Sequence, residues 1–429
     1  MRKKMWKNWC CLGMAGVLAV GGMTGCGSKK MKNSTDLTER VKETERVEKD
    51  ATTEEEDANT GVSELFQKDT TDFAVALLQE TMQQEQQNTN VMVSPVSVLE
   101  ALAMTANGAR GETAEQMQAI LGANQTREEL NTNVRNWNAL HDTDDTTNIA
   151  NAIWFKEGAF EVSQDFLNQN TDYYGAGIYA SDFSEKTVKD INQWVKEKTD
   201  KKIDKIITEL PQQSLMCLVN AVSFDAKWSE PYESEDVWEE MFTLESGERK
   251  DMEMMHSQEN YYLEDGQAVG VRKPYKNGYS FVAVLPKEGT TVEDYVSNLT
   301  GEAWSELLDS EQAEEVTTVI PKFKAEYSTS LKDTLVQMGM PLAFDAGEAD
   351  FTGMDASGDH GICIGDVLHK TYIEVDEQGT KAAAATAVVA LETAMEAEPK
   401  EVILDRPFVY AIVEDETEIP LFFGVYCGE

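Results

Sequence analysis

A single large α+β domain is predicted by three features of the sequence. Helical patterns fill its first half and strand-like apolar runs its second. From Val62 to Glu429 there is no internal repeat and no second linker. That stretch is also long enough to bury one large core.

The chain opens with Arg2, Lys3, Lys4 and Lys7, followed by an apolar run from Leu12 to Gly25 and then Cys26. A bilayer-spanning helix needs about 20 apolar residues, and this run is shorter and rich in glycine, so 1–25 reads as a signal peptide. MTGC, with small residues before the cysteine, resembles a bacterial lipoprotein cleavage box. On that reading Cys26 is the lipidated first residue of a mature cell-surface lipoprotein, anchored to the membrane and facing the extracellular side. The alternative is ordinary secretion, with Cys26 an incidental thiol. Residues 26–61 are dominated by Lys, Arg, Glu, Asp and Thr and cannot bury enough apolar surface to offset chain entropy. They are expected to be a flexible tether with a Gaussian reach on the order of 35 Å. A charged helix over 37–49, with a thin stripe of Leu37, Val41 and Val47, is the alternative.

In the body, 62–429, Phe66, Phe73, Ala74 and Leu77 share a helical face, and Val98, Leu102 and Thr105 continue a segment begun after Ser94-Pro95, where proline suits a helix start. Val188, Ile191, Trp194 and Val195 line one side of a further helix running towards Ile203. Strands then dominate. The run from Ser214 to Phe224 is nearly continuously apolar, as for a central strand covered on both faces. YSFVAVLP, VTTVIPKF and the pair FVYAIV and IPLFFGVY, joined by DETE, add more.

The formal charge is 37 − 78 = −41. Such a chain repels nucleic acid and anionic lipid, which excludes a nucleic-acid role. Of the six cysteines, Cys217, Cys363 and Cys427 lie in the body, an odd number with no repeated spacing, so neither a disulfide framework nor a zinc-type CxxC pair is expected. Cys217 and Cys427 sit in apolar runs and read as buried small hydrophobes. The histidines are His141, His256, His360 and His369, with no HExxH, no GxSxG and no phosphate-loop GxxxxGK[ST]. The acidic run from Asp142 to Asn148 lacks the glycine and terminal glutamate of a calcium loop. No enzyme activity, cofactor or metal is expected.

The organising stretch is EVDEQGTKAAAATAVVALETAMEAEPKEVILDRP, Glu374 to Pro407. By helix propensity its alanine run should coil. With period two, however, Thr380, Ala382, Ala384, Thr386, Val388 and Ala390 fall on one small, apolar face and Lys381 on the other. With Gly379 beside it and Ala383 and Ala385 between, such a segment fits both an exposed loop and a buried strand.

GTKAAAATAVV resembles the reactive-loop hinge of the serpins, the serine protease inhibitors whose loop inserts into a sheet. The resemblance extends from Val62 to Cys427 through NVMVSPVSVLEALAMTANGARGET, NAIWF, INQWVKEKTDKKIDKII, LVNAVSFDAKW, PKFKAEYSTSLKDTLVQMGMPLAFD, ADFTGM and IGDVLHKTYIEVDEQGT, all in the family's order. It implies the serpin fold, a single large domain with a main mixed β-sheet, further sheets and surrounding helices, the Ile191 helix lying across the main sheet and an exposed reactive loop at about 376–400. It also implies that Ser94, Ser97, Asn220 and His369 form a polar cluster where strands part. Buried hydroxyl, amide and imidazole groups there exchange partners without leaving donors orphaned; taken alone, His369 would read as a satisfied core histidine. Trp228 matches the aromatic where the loop first enters, and ordinary packing is its plainer reading. The hinge is Gly379, Thr380, Lys381, Ala382, Ala383, Ala384, Ala385 and Thr386. Lys381 departs from the family, which usually carries an acid there.

The implied function is suicide-substrate inhibition of a serine protease, held as a covalent complex by a monomeric inhibitor. Counting forward from Gly379 by the family's spacing places the cut between Thr393 and Ala394, which suits an elastase-like or subtilisin-like pocket. Counting back from Arg406-Pro407 lands on Glu396, ahead of Ala397, and Met395 is a third option. Extra residues beyond the cut add little loop-closure entropy, which favours Thr393-Ala394. The alternatives are a non-inhibitory serpin acting as an extracellular binding or chaperone-like protein, for which bulky or charged hinge residues would be expected, and a ligand-capturing lipoprotein.

Overall fold

The computed structural model describes residues 31–41, 61–141, 146–210, 214–358, 361–380 and 400–428. Residues from Met31 onward fall in one compact unit. Its helices are α1 (Glu64–Gln84), α2 (Pro95–Ala106), α3 (Gly111–Gly122), α4 (Arg127–His141), α5 (Gln164–Tyr174), α6 (Glu185–Lys198), α7 (Val292–Asn298), α8 (Gly301–Asp309) and α9 (Lys332–Met338). Local signals start them. The Ser63 hydroxyl accepts from the Phe66 N–H at the head of α1, and Pro95 occupies the first turn of α2, where its missing donor is harmless.

The strands are β1 (Ser34–Asp36), β2 (Val91–Val93), β3 (Thr147–Lys156), β4 (Gly177–Ser181), β5 (Met216–Phe224), β6 (Ala226–Lys227), β7 (Val237–Thr243), β8 (Arg249–Glu259), β9 (Tyr262–Glu264), β10 (Ala268–Pro274), β11 (Tyr279–Pro286), β12 (Val316–Pro321), β13 (Phe323–Ser330), β14 (Val367–Val375), β15 (Gly379–Thr380), β16 (Lys400–Ile403), β17 (Phe408–Glu414) and β18 (Pro420–Tyr426). Among the described residues they form a six-stranded main sheet β1-β4-β3-β5-β14-β13, a second six-stranded sheet β2-β18-β17-β11-β10-β9, a four-stranded sheet β16-β12-β8-β7 and the pair β15-β6.

Strand β5 is buried along its whole length, because both faces of the main sheet are covered there. Cys217, Val219 and Ala221 pack in one cluster with Ile191, Trp194 and Val195 of α6. Leu218 and Val222 point the other way, into the cluster that holds α2. Helix α6 thus lies on the main sheet, tied down by Trp194 Nε1 donating to the Tyr179 hydroxyl at 3.0 Å. Cys217 and Cys427 are buried, and Cys363 is half-buried.

The expected tether over 26–61 needs correction at 31–41. Strand β1 pairs antiparallel with β4, Ser34 opposite Ser181 and Asp36 opposite Tyr179, and becomes the outer strand of the main sheet. Leu37 and Val41, each 2% exposed, enter the core. Asp190 on α6 accepts from the Asn33 backbone N–H (2.8 Å), Asn33 Nδ2 (3.1 Å) and Ser34 Oγ (3.1 Å). Main-chain pairing with the open edge of β4 stabilises a stretch whose own composition is too polar to fold, and it covers that edge as well. Residues 42–60 lie outside the described residues.

Candidate functional site

The site begins where β5 and β14 run side by side. They are parallel and in direct register, from Val367 opposite Leu218 to Tyr372 opposite Ser223, so His369 stands opposite Asn220. On the other side of β5, the antiparallel β3 places Asn151 opposite Asn220. Asn151, Asn220 and His369 therefore form one row across three strands, above α2.

Helix α2 presents Ser94, Ser97 and Glu100 at three-residue steps, the spacing that stacks side chains along one helical face. The Ser94 N–H donates to His369 Nε2 at 3.1 Å. His369 Nε2 is thus an acceptor, Nδ1 carries the proton, and it donates to Asn220 Oδ1. Asn220 Nδ2 donates in turn to Ser97 Oγ and to Asn151 Oδ1, the latter at 2.6 Å. Asn151 Nδ2 passes the chain on to Glu100 Oε2 at 2.8 Å. The four predicted residues are thus brought together, and Asn151 and Glu100 complete a network that sequence reasoning left unfinished. The i, i+3 step from Ser97 to Glu100 in an otherwise apolar helix was the available signal.

Burial sets the charge of this network. It lowers the His369 imidazole to about 3, so the ring is neutral. It raises the Glu100 carboxyl to about 8, against the opposing hydrogen bonds from Asn151 and Asn138. Both ends are uncharged near neutrality, which makes a polar cluster tolerable beneath a sheet.

At the end of β14 the chain turns through 376–378 and enters the hinge. Gly379 and Thr380 pair antiparallel with Lys227 and Ala226 as β15-β6. Gly379 has φ +140°, and a Cβ there would lie 2.2 Å from the Ala226 carbonyl oxygen, so only glycine fits. Thr380 is 1% exposed, with its hydroxyl 3.0 Å from that of Tyr275. The Tyr275 ring stacks on Trp228 at 4.3 Å and 9°. Trp228 Nε1 donates to the Asp376 carbonyl at 2.9 Å, and its backbone N–H to Gln378 O at 3.1 Å. Trp228 thus both packs in the core and clamps the turn that leads into the hinge.

Sequence reasoning missed three ion pairs beside this clamp. Lys322 reaches Glu377 at 2.8 Å and Glu253 at 3.3 Å. Burial pulls the Lys322 ammonium down, and these two carboxylates more than restore it, leaving it above its ordinary value. Underneath, Lys273 pairs with the buried Glu259, and its Nζ lies 5.4 Å from the Trp228 ring centroid and 4.4 Å from that of Tyr232. None of the three shows a short-range pattern in the sequence.

The hinge from Lys381 to Thr386, the candidate cut residues Thr393, Ala394, Met395, Glu396 and Ala397, and Cys26 lie outside the described residues. Among the described residues no group of His, Cys, Asp and Glu side chains could hold a metal ion, and no helix is long and apolar enough to cross a membrane.

Comparison with known proteins matches this geometry. The family model described as Serpin (serine protease inhibitor) covers residues 68–428. A Xenopus tropicalis protein described as leukocyte elastase inhibitor is 34% identical over 354 residues, 79% of this chain and 92% of the relative. The crystal structure of a thermophilic serpin, tengpin, in its native state is 39% identical, with a TM-score of 0.84 over 93% of this chain and all of that one. The same serpin in its latent state gives 40% identity and a TM-score of 0.75 over 86% of this chain and 98% of that one. The chain belongs to the serpin family.

Proposed function

We propose that this serpin inhibits a serine endopeptidase as a suicide substrate, by inserting its cleaved loop between β5 and β14. The observation that carries the reading is the parallel β5-β14 pair, together with a chain that leaves β14 through a tight turn. A strand returning along β14 would run antiparallel to both neighbours and convert a parallel pair into two antiparallel ones. About a dozen new ladder bonds at roughly 0.5–1.5 kcal/mol net each would release on the order of 10 kcal/mol. A protease domain is stable by about 5–15 kcal/mol, so this suffices to distort one held by an acyl bond. The hydrogen bond between His369 and Asn220 crosses the seam that must part, and the neutral cluster offers alternative partners as it does.

The same proposal puts the cut at Thr393-Ala394 and the target among elastase-like or subtilisin-like proteases, consistent with the elastase inhibitor among its relatives. It also makes Cys26 a lipidated anchor that holds a monomeric body outside the cell. Residues 31–429, which keep β1, are incubated with an elastase, a subtilisin, a trypsin and a glutamate-specific protease and run on denaturing gels. A covalent band at the summed mass is expected with the first two, with a released fragment beginning at Ala394. A fragment beginning at Ala397 would move the cut to Glu396. Loop cleavage without any covalent band would leave a non-inhibitory serpin.

A further inference from the structure

On the four-stranded sheet β16-β12-β8-β7, Trp238 of the outer strand β7 is 46% exposed, and Met241 of the same strand 49%. An exposed indole is usually mobile; this one is fixed. Its ring stacks on His256 at 3.6 Å and 10°, and its Nε1 donates to Glu240 Oε1 at 2.8 Å. An aromatic side chain held rigid before binding loses little entropy on contact, which is what an interface anchor requires.

Its surroundings state what it would contact. Between Ser229 and Glu248 the chain has eight carboxylates and neither lysine nor arginine. Glu235 and Glu239 are exposed, and among the described residues no lysine or arginine pairs with them or with Glu240. Burial holds His256 below its ordinary value, so it does not neutralise Glu240 near pH 7. A second copy of this chain, at −41, would be repelled. The occupant is therefore basic.

The register states where it would stand. His256 lies opposite Val319, and Val319 opposite Ile403 of β16, so a single row of side chains leads from the indole to β16. Strand β16 opens at Lys400, directly after the loop that holds the candidate cut. Three strand spacings of about 4.8 Å separate β7 from β16, well inside the footprint of a protease domain with a radius of gyration of about 17 Å.

We propose that Trp238, with the carboxylates around it, is a docking surface for the body of the target protease, which would carry lysine or arginine beside its cleft. This rests on the inhibitory reading, and the measurement is chosen to separate the two. An elastase and a subtilisin, each with its nucleophilic serine replaced by alanine, cannot be acylated, so their binding reports noncovalent association without trapping, and the Trp238 and Glu239 variants, which leave the loop unchanged, isolate the docking surface's share of it. Trp238→Ala should weaken binding of the protease that wild type holds by about tenfold. Glu239→Lys should weaken it about threefold and reduce its dependence on salt. Binding of Trp238→Ala within twofold of wild type, no binding by wild type, or loss of a wild-type dimer in the Trp238→Ala variant would each overturn the proposal. Whether trapping occurs is read independently, from the covalent band with the active proteases.

Discussion

At Thr380 two demands meet in one residue. The side chain is already buried against Tyr275 before any cleavage, and it begins the small face that would enter the sheet. Replacement by arginine would put a long charged side chain into a buried site beside the Tyr275 phenol and the β6 backbone, and burying a charge costs several kcal/mol. Thr380→Arg should therefore release the β15-β6 pairing and slow insertion, so that the protease deacylates first. The expected result is cleavage in place of trapping, with at least a tenfold rise in the moles of inhibitor consumed per mole of protease inactivated, read by titration against an elastase. A stoichiometry equal to wild type would show that insertion does not pass through this residue. Gly379 is constrained differently, through backbone space, because any Cβ would meet the Ala226 carbonyl.

At the scale of the element, β3, β5 and β14 are cross-linked to α2 by a network whose two titratable ends answer pH in opposite directions. His369 is lowered from 6.5 to about 3, so it contributes stability above 6.5 that is lost as pH falls towards 3. Glu100 is raised from 4.5 to about 8, so its buried neutral form favours the fold below 4.5, and that contribution is lost as pH rises towards 8. Glu100→Gln keeps an uncharged group and the acceptor for Asn151 while removing the titration. Relative to wild type it should gain up to about 1.4 kcal/mol per pH unit between 4.5 and 8, measured as the difference in urea unfolding free energy. A difference independent of pH would mean that Glu100 is ionised in the folded protein. Strand β1 adds a second tie at the far edge of the same sheet, through Asp190 of α6.

For the molecule as a whole, the parts legible in the sequence were those written in short runs. The apolar Ser214 to Phe224 run marked the central strand, and of the expected hinge only Gly379 and Thr380, at its start, fall among the described residues. The serines at 94 and 97 became meaningful only beside Asn220 and His369, which a family resemblance, and no local pattern, brought together. What stayed hidden depends on partners distant in sequence. Strand β1 forms because β4 has an open edge, and Lys322 finds Glu377 only after β14 is in place. The parallel β5-β14 seam is a product of topology of the same kind. If a cleaved loop fills that seam as an antiparallel strand, the gain on the order of 10 kcal/mol belongs to the whole cooperative unit. With an unfolding entropy of about 2 cal/mol/K per residue over a body of this length, the thermal midpoint should rise by about 10 °C or more. Scanning calorimetry before and after limited proteolysis at the loop reads this directly. A midpoint unchanged by cleavage would mean that β5 and β14 stay paired to each other and that the loop has no strand to become.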